Sequence, residues 1–391
     1  MILGIDATNI RAGGGLTHLI GLLSGANKAT IQFEKIIVWS SKQTLSYLPK
    51  RDWLDYRTAY LLKGNLLCRT LWQKWRLPNL AAKECDLLLV PGGSYQGYFQ
   101  PYVVISQTML PFDVHECKRY GMSWMRFKLY LLKIIQSRTL KNAAGIICLT
   151  HYASKRIMQQ LSLQNVSHKT IAHGINTEFH HRPKIQYQAD HYSDKRPFRV
   201  LYISTIDLYK HQWQVIKAIA LLRAKRYPIV LDLIGAHYKP ALQLMTHVLK
   251  QYDPLNKFTY FHGHIDHKHL PAFYAEADLF VFASSCEALP IILLEAMAAS
   301  MPIACSDRAS MPDILQDGGI YFNPEEPVSI ANAIEKLFLN FSLRADCAKI
   351  AHLRAAQYSW TRCAEETFSF LADTVKLSAK NNRQMQHDHR C

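Results

Sequence analysis

Two carboxylates lie eight positions apart inside an apolar stretch of the chain. Glu287 and Glu295 belong to residues 277–307, where Leu, Ile, Val, Phe, Met and Ala predominate. A carboxylate in apolar surroundings is costly unless a partner binds it. The pair therefore indicates either a ligand site or a structural role, in which Glu295 faces solvent or caps a neighbouring element.

The residues around these carboxylates predict a strand, a helix and a second strand. Residues 279–283 form a short apolar run, which is typical of a buried parallel strand. Pro290 can begin a helix because the first turn does not need the missing N–H, and residues 291–299 are rich in helix formers. Residues 303–305 start another apolar strand. The segment therefore predicts one crossover of a parallel α/β sheet.

This crossover places Glu287 in the loop 284–288, at the carboxyl end of its first strand. Open α/β sheets bind ligands just outside the carboxyl ends of their strands, and a helix N-terminus attracts phosphate. A ligand site at this loop is therefore the functional interpretation of the pair.

The segment resembles the signature of retaining glycosyltransferases with the GT-B fold, of the family 4 type. The shared pattern is a Glu, seven residues and a second Glu followed by Ala-Met-Ala, then Pro and a strand. The chain departs from it at residues 288–290, Ala-Leu-Pro, where many members have Gly-Phe-Gly. The resemblance implies an α/β fold of two Rossmann-like domains that face each other across a cleft, with a C-terminal helix that crosses back to the first domain.

The same resemblance gives a domain plan. Residues 1–185 are expected to form the acceptor-side domain and residues 186–360 the domain that binds a nucleotide sugar. The crossover helix is expected at 361–376, and residues 377–391 are polar and predicted to be a flexible tail.

The resemblance also assigns roles on the donor side. Glu295 is implied to hold the ribose hydroxyls, and Glu287 to lie against the donor sugar as a catalytic carboxylate. The family has an arginine and a lysine that hold the diphosphate; here the lysine is Lys210, while Thr205 stands at the arginine position. Further donor contacts are implied for Gly14, Gly15, Gly263, Ile265, Leu289 and Ile291.

The acceptor side is implied to include Gln107 and His115. Gln107 stands where many members of the family have a His near the reacting centre. Asp113 and His115 follow shortly after and are alternatives, although a charged loop residue is usually only solvated.

No divalent metal and no other cofactor are expected. The chain contains no Asp-x-Asp, and Lys210 with helix dipoles would take the place of a metal at the diphosphate. His262, His264, His267 and His269 are close in sequence, but no set of Cys or carboxylate completes a metal site around them.

Net charge is +16, and it is unevenly distributed. Residues 1–190 hold 24 Lys and Arg against 10 Asp and Glu, whereas the remainder holds 22 against 20. A basic first half favours an acidic partner, such as an anionic membrane surface, a phosphorylated acceptor or nucleic acid, unless the charge serves only solubility.

Residues 117–141 combine this charge with apolar side chains. They hold seven Lys and Arg and no acid, interleaved with aromatic and aliphatic residues. That composition is typical of a helix lying at a membrane interface, or of an ordinary helix whose apolar side faces a sheet. No apolar run approaches the roughly 20 residues of a spanning helix. The cysteines are scattered and odd in total number, which indicates reduced thiols in the cytoplasm.

The sequence thus predicts a cytoplasmic glycosyltransferase that needs no metal and acts at the inner face of a bacterial membrane. It would transfer a sugar from a nucleotide sugar to a glycan or lipid-linked acceptor in cell-surface polysaccharide assembly. The alternatives are a GT-B sugar-nucleotide epimerase, a basic nucleic-acid-binding protein and a non-catalytic relative, the last because Thr205 replaces the arginine. No nucleic-acid partner is expected.

Overall fold

The computed structural model describes the backbone of residues 1–388 and the side chains of residues 1–380. In chain order the strands are β1 (Ile2–Asp6), β2 (Lys35–Trp39), β3 (Leu54–Arg57), β4 (Leu87–Val90), β5 (Tyr102–Ser106), β6 (Gly145–Cys148), β7 (His168–Thr170), β8 (Phe198–Ile203), β9 (Ile229–Ile234), β10 (Thr259–Phe261), β11 (Leu279–Phe282), β12 (Ile303–Ser306) and β13 (Ile320–Phe322).

The helices, again in chain order, are α1 (Gly13–Gly25), α2 (Lys42–Ser46), α3 (Leu66–Trp75), α4 (Leu77–Glu84), α5 (Val114–Lys118), α6 (Trp124–Lys141), α7 (His151–Leu161), α8 (Gln212–Ala224), α9 (Lys239–Tyr252), α10 (Leu270–Glu276), α11 (Ile291–Ala298), α12 (Met311–Leu315), α13 (Pro327–Leu339), α14 (Phe341–Ala355) and α15 (Trp360–Asp388). Single 3-10 turns include Tyr60–Lys63, Leu208–Lys210 and His267–His269.

Internal contacts divide the chain into two compact units. The first contains residues 1–112, 122–174 and those from 359 onward, and the second contains residues 113–121 and 175–358. Each unit is built on its own parallel sheet, which confirms the predicted α/β class with two Rossmann-like units.

The first sheet has seven strands in the order β3-β2-β1-β4-β5-β6-β7. All four residues of β4 and all five of β5 are buried, as expected for parallel strands covered on both faces. The C-terminal helix α15 packs on α1 in this unit. Gly21 of α1 permits that approach, because a Cβ there would overlap the ring of Trp360.

The second sheet has six strands in the order β10-β9-β8-β11-β12-β13. The predicted crossover is present as β11, α11 and β12, with β11 and β12 paired in parallel. Pro290 is the N-cap of α11, which confirms the predicted helix start. The carboxyl ends of β8 and β11, which are neighbours, therefore lie at one edge of the sheet.

The observed division differs from the expected boundary after residue 185. Residues 175–185 belong to the second unit, where Phe179 is fully buried and Ile175 N–H donates to the Tyr358 carbonyl at 3.1 Å. Lys184 Nζ donates to the carbonyls of Tyr274 at 3.1 Å and Ala277 at 2.8 Å. The polar composition of this stretch thus reflects hydrogen bonds to one unit.

The C-terminal segment and the cysteines can also be compared with the predictions from the sequence. The stretch predicted to be a flexible tail is helical as far as Asp388, and residues 389–391 lie outside the described part. The eight cysteines within residues 1–388 are free thiols. Within the described residues, no helix combines the length and the apolar character needed to cross a membrane.

Candidate active site

A lysine and a glutamate pair at the carboxyl edge of the second sheet. Lys210 ends the turn that follows β8, and Glu287 lies in the loop after β11. Lys210 Nζ forms an ion pair with Glu287 Oε1, and Ser284 Oγ donates to the same oxygen at 2.7 Å. The two side chains keep 10% and 15% of their surface exposed. The structure therefore brings together the predicted catalytic carboxylate and the lysine predicted to hold the diphosphate.

Aromatic rings flank the lysine. Its Nζ lies 4.9 Å from the centroid of the Tyr209 ring and 5.4 Å from that of Phe282. A cation is attracted to ring faces at such distances. When one partner of a buried ion pair is removed, the other charge is left uncompensated. A ligand that separates Lys210 from Glu287 must therefore bring its own charge or hydrogen bonds.

Ser285 joins the two loops that carry this pair. Its N–H donates to the Tyr209 carbonyl at 2.8 Å, and its hydroxyl lies 2.9 Å from His211 Nε2. Burial lowers the pKa of His211 to about 4, so this ring is neutral at pH 7. Tyr202 OH also donates to the Lys210 carbonyl at 2.6 Å. Hydrogen bonds from buried groups thus fix the backbone on both sides of the lysine.

Thr205 stands alone at the position of the family arginine. It is exposed just after β8, and its carbonyl accepts a hydrogen bond from Gln212 Nε2 at 3.0 Å. A hydroxyl can donate one hydrogen bond and carries no charge. The cation that the resemblance implies at this position is therefore not replaced by Thr205 itself.

An arginine whose role the sequence did not predict lies at the same edge. Arg119 Nε donates to Glu116 Oε2 at 2.7 Å, and its Nη2 donates to Glu325 Oε1 at 2.5 Å. Burial acts to raise the pKa of Glu116, but the hydrogen bonds from Arg119 outweigh it and the pKa is lowered. Tyr120 OH donates to Asp207 Oδ1 at 2.8 Å. Residues 113–121 therefore contact the loops that follow β8 and β13.

His115 belongs to this segment and hence to the second unit, although it was predicted on the acceptor side with the first domain. Its side chain is 71% exposed, and its Nδ1 lies 3.3 Å from Glu116 Oε1. Ligand atoms of His115, Glu116 and Glu325 come within 4.8 Å of one another, as a metal site requires. The guanidinium of Arg119 already bonds both carboxylates, so these residues fit a metal ion poorly.

Glu295 is enclosed, with only 2% of its surface exposed. Its Oε1 lies 2.6 Å from His267 Nε2, and its Oε2 accepts from Tyr274 OH at 3.3 Å. Burial raises the pKa of Glu295, and the bond to Glu295 raises the pKa of His267. Phe179 packs against the His267 ring at 4.9 Å. A ribose could reach this carboxylate only if His267 moved.

The remaining donor-side residues of the second unit differ in accessibility. Gly263 has φ +70°, and its carbonyl accepts from Gly235 N–H at 2.8 Å, which fixes the loop after β10. Gly263, Ile265 and Ile291 are half-buried, whereas Leu289 is only 6% exposed. Leu289 is thus positioned as a core residue, and the three others retain surface for contacts.

In the first unit, Gly14 and Gly15 lie inside α1 rather than in a loop before it, because the helix begins at Gly13. Gln107 follows β5, and its Oε1 would lie 3.6 Å from a Cβ on Gly15. The Gln107 Nε2 is buried without a hydrogen-bond partner. The structure thus brings Gly15 and Gln107 together at the carboxyl edge of the first sheet.

Most of the second unit matches a known family of proteins. Residues 184–354 match the family model described as Glycosyl transferases group 1. An O-antigen chain mannosyltransferase B of Escherichia coli is 27% identical over 172 residues, which are 43% of this chain and 44% of that protein. A serotype-specific mannosyltransferase WbdA of E. coli is 25% identical over 57% of this chain and 28% of its own length. The chain thus spans less than half the length of these curated relatives.

Solved structures support the fold along nearly the whole chain. The crystal structure of HepE from Anabaena, in complex with UDP, has a TM-score of 0.69 and 16% identity, and covers 95% of this chain and 99% of that one. At this identity the likeness shows the fold, which is of the predicted GT-B type.

Proposed function

We propose that this chain is a retaining glycosyltransferase that moves a sugar from a nucleotide-sugar donor to a glycan or lipid-linked acceptor. The observation that carries the proposal is the Lys210–Glu287 pair, which lies at the carboxyl edge of a parallel sheet and within the segment that matches the group 1 pattern. This edge is where open α/β sheets bind ligands.

In the proposed reaction, Lys210 exchanges Glu287 for the diphosphate of the donor. The bond between the sugar and the diphosphate breaks, and the acceptor oxygen forms the new bond on the same face of the sugar. The departing phosphate accepts the proton of the acceptor hydroxyl. A preorganised cation stabilises the charge that develops on this leaving group, so the lysine lowers the barrier without a metal ion. Glu287, once released, contacts the donor sugar.

Glu295 has a proposed role in holding the ribose. Its two oxygens now contact His267 and Tyr274, which offer the same kind of donors as ribose hydroxyls. We expect the ribose to take the place of His267, since hydroxyl groups would satisfy the carboxylate after the imidazole leaves. Gly263, Ile265 and Ile291 have surface available for the nucleotide.

The first unit is proposed to bind the acceptor. Gln107 offers an unpartnered Nε2 beside Gly15, and buried polar atoms without partners are uncommon in folded proteins. One of the curated relatives is, by its name, an O-antigen chain mannosyltransferase. We therefore propose a place in bacterial cell-surface polysaccharide assembly.

A membrane surface is a further proposed partner. On α6, Trp124 is 76% exposed and Tyr130 60%, and the helix carries five Lys and Arg and no acid. Exposed aromatic side chains on a basic helix suit the interface of an anionic bilayer. Co-sedimentation with vesicles tests this at low salt. Equal binding to neutral and anionic vesicles would contradict it.

The donor is identified by a thermal-shift screen of UDP-, GDP-, ADP- and CDP-sugars, because a ligand that binds the folded state raises the Tm. The stabilising donor is then incubated with and without acceptor glycans in EDTA. Transfer to an acceptor with the anomeric configuration kept supports the proposal. Conversion of the donor without any acceptor would instead indicate an epimerase, and no stabilisation by any nucleotide sugar would contradict the function.

A further inference from the structure

Two arginines meet at the carboxyl edge of the first sheet without an acidic partner. Arg11 follows β1 and its Nη2 donates to the Leu62 carbonyl at 2.5 Å. Arg69 on α3 reaches back to the same strand end, where its Nη1 lies 3.5 Å from the Thr8 carbonyl. The hydrogen bonds that these two arginines form within the described residues go to backbone carbonyls, those of Leu62, Asn65 and Thr8. The two guanidinium groups are thus neighbours that only carbonyl oxygens neutralise in part.

The electrostatics of this pair are unfavourable in the absence of a ligand. The pKa of Arg69 is lowered, first by burial and then by the charge of Arg11. The Arg11 Nε is a donor that is buried without a hydrogen-bond partner. Buried donors and like charges both cost stability unless an anion or another partner satisfies them.

The N-terminus of α1 begins two residues after Arg11. Its N-cap, Ala12, offers no side-chain hydrogen bond, and its first turn holds no acidic residue. A Cβ on Gly13 would meet no atom within 4 Å, so the space beside the first turn is open. Free backbone N–H groups at a helix start favour negative charge. They add to the arginine pair as a second source of positive potential.

The surface next to Arg69 is apolar. Leu66 precedes it by one turn of α3 and is 55% exposed, and Leu67 is 72% exposed. Residues three apart on a helix share a face, so Leu66 and Arg69 lie on one side of α3. An exposed leucine beside an unpaired arginine suits an amphiphile, which combines an anionic head with an apolar chain.

We infer that Arg11, Arg69 and the N-terminus of α1 bind the phosphate of a lipid phosphate whose chain contacts Leu66 and Leu67. The inference rests on the proposed function only in that the lipid phosphate would be the anchor of the acceptor. The phosphate of a nucleotide donor offers the same chemistry, so the experiment must separate these two sources.

The test measures binding of farnesyl phosphate, farnesol and UDP to the full chain by calorimetry. We expect farnesyl phosphate to bind at least about tenfold more tightly than farnesol, since charge-assisted hydrogen bonds are lost without the phosphate. Arg69→Met and Arg11→Met should each weaken farnesyl phosphate by about tenfold and leave UDP unchanged. Arg69→Lys, which keeps the charge, should retain most of the affinity.

Arg51→Met is the matched control, because it removes the same charge from an exposed position in the same unit. It should change the affinity for farnesyl phosphate by less than about twofold, since exposed distant charges are screened by salt. A second readout excludes a structural role: without ligand, Arg69→Met should unfold at the same Tm as the unaltered chain or higher, because it relieves like-charge repulsion.

Three outcomes would overturn the inference. Farnesyl phosphate and farnesol could bind equally, or Arg69→Met could bind farnesyl phosphate as tightly as Arg51→Met does. Arg69→Met could also weaken UDP and spare farnesyl phosphate, which would assign the phosphate to the donor. Failure of the proposed function appears separately, as the absence of stabilisation by any nucleotide sugar, because no nucleotide enters the farnesyl phosphate measurement.

Discussion

The charged side chains at the carboxyl edges of the two sheets differ in their partners. At the second sheet, charged groups are bonded to each other: Lys210 to Glu287, and Arg119 to Glu116 and Glu325. At the first sheet, Arg11 and Arg69 meet only carbonyl oxygens. Both sheets are parallel and similar in size, so the difference does not follow from topology.

This difference determines what an anionic ligand must displace in order to bind at each edge. At the second edge the ligand must compete with an existing carboxylate, and the displaced Glu287 must find new partners. At the first edge the ligand would pair with Arg11 and Arg69 without displacing a carboxylate. Binding to the first edge should therefore stabilise the fold directly, whereas binding to the second is an exchange of partners.

The largest expected effect comes from breaking the pair at the second edge. Lys210→Met should lower the rate of glycosyl transfer by about 10² to 10³, which is the typical cost of removing one group that stabilises a leaving anion. The measurement is kcat with the donor found by thermal shift. Arg223→Met, which breaks an ion pair with the exposed Asp194 elsewhere in the unit, is the control. Equal kcat values for the two variants would contradict the role of Lys210.

The sequence predicted the second edge better than the first, for a physical reason. Residues 277–307 are contiguous, and one strand, one loop and one helix carry Glu287 and Pro290 in chain order. Lys210 was found because its spacing from a strand end resembles a known pattern. The family model described as Glycosyl transferases group 1 matches residues 184–354, a range that includes Lys210 and Glu287.

Contacts between distant segments could not be predicted in this way. Arg119 is 206 positions from Glu325, and Arg69 is 61 positions from Thr8. Their sequence surroundings show only a basic stretch, which gives no information about which charges are paired. Similarly, nothing near Glu295 indicates that His267 covers it. Signals of this kind arise from packing, and the composition of a single segment does not contain them.

The free energy of unfolding can be compared for two arginines, one in each unit, that each bond two carboxylates. Arg119→Met leaves Glu116, which is 3% exposed, without its main partner, and we expect a loss of about 3 kcal/mol in the free energy of unfolding. Arg57 in the first unit also bonds two carboxylates, Asp55 and Glu84, but these are 29% and 33% exposed. Arg57→Met should therefore cost less than about 1 kcal/mol.

Urea unfolding at neutral pH measures both variants. Similar losses for Arg119→Met and Arg57→Met would show that burial of Glu116 does not govern the difference. In that case the network of residues 113–121 would contribute no more to the second unit than a surface cluster does to the first.

A smaller change in the free energy of unfolding is expected in acid, from two buried histidines of the first unit. His18 and His173 are buried with their Nδ1 atoms 2.7 Å apart. Burial lowers the pKa of His18 to about 4 and that of His173 well below its ordinary value. A lowered pKa means stability that is present above the unfolded pKa, near 6.5, and lost as the pH falls. Unfolding free energy should thus drop by up to about 1.4 kcal/mol per pH unit for each histidine below pH 6.5.

His173→Asn tests this slope, because asparagine keeps a polar group and does not titrate. The variant should show a shallower loss of unfolding free energy between about pH 6.5 and about pH 5 than the unaltered chain. Identical slopes would mean that the buried histidine pair does not set the acid sensitivity.

The smallest expected change in the free energy of unfolding comes from His267 in the second unit, and there stability is lost as the pH rises. The hydrogen bond to Glu295 raises the pKa of His267 above 6.5, so its contribution is complete below that pH and is lost as the pH rises through the folded pKa. Glu178, whose Oε1 lies 4.0 Å from His267 Nδ1, acts in the same direction. His267 is partly exposed, and solvent screening keeps the effect below about 1 kcal/mol. His267→Gln keeps a donor for Glu295 without titrating, so its deficit in unfolding free energy should be larger at about pH 6 than at about pH 8. A deficit that grows with pH would contradict the charged pair, and the two histidine sites would then no longer differ in sign.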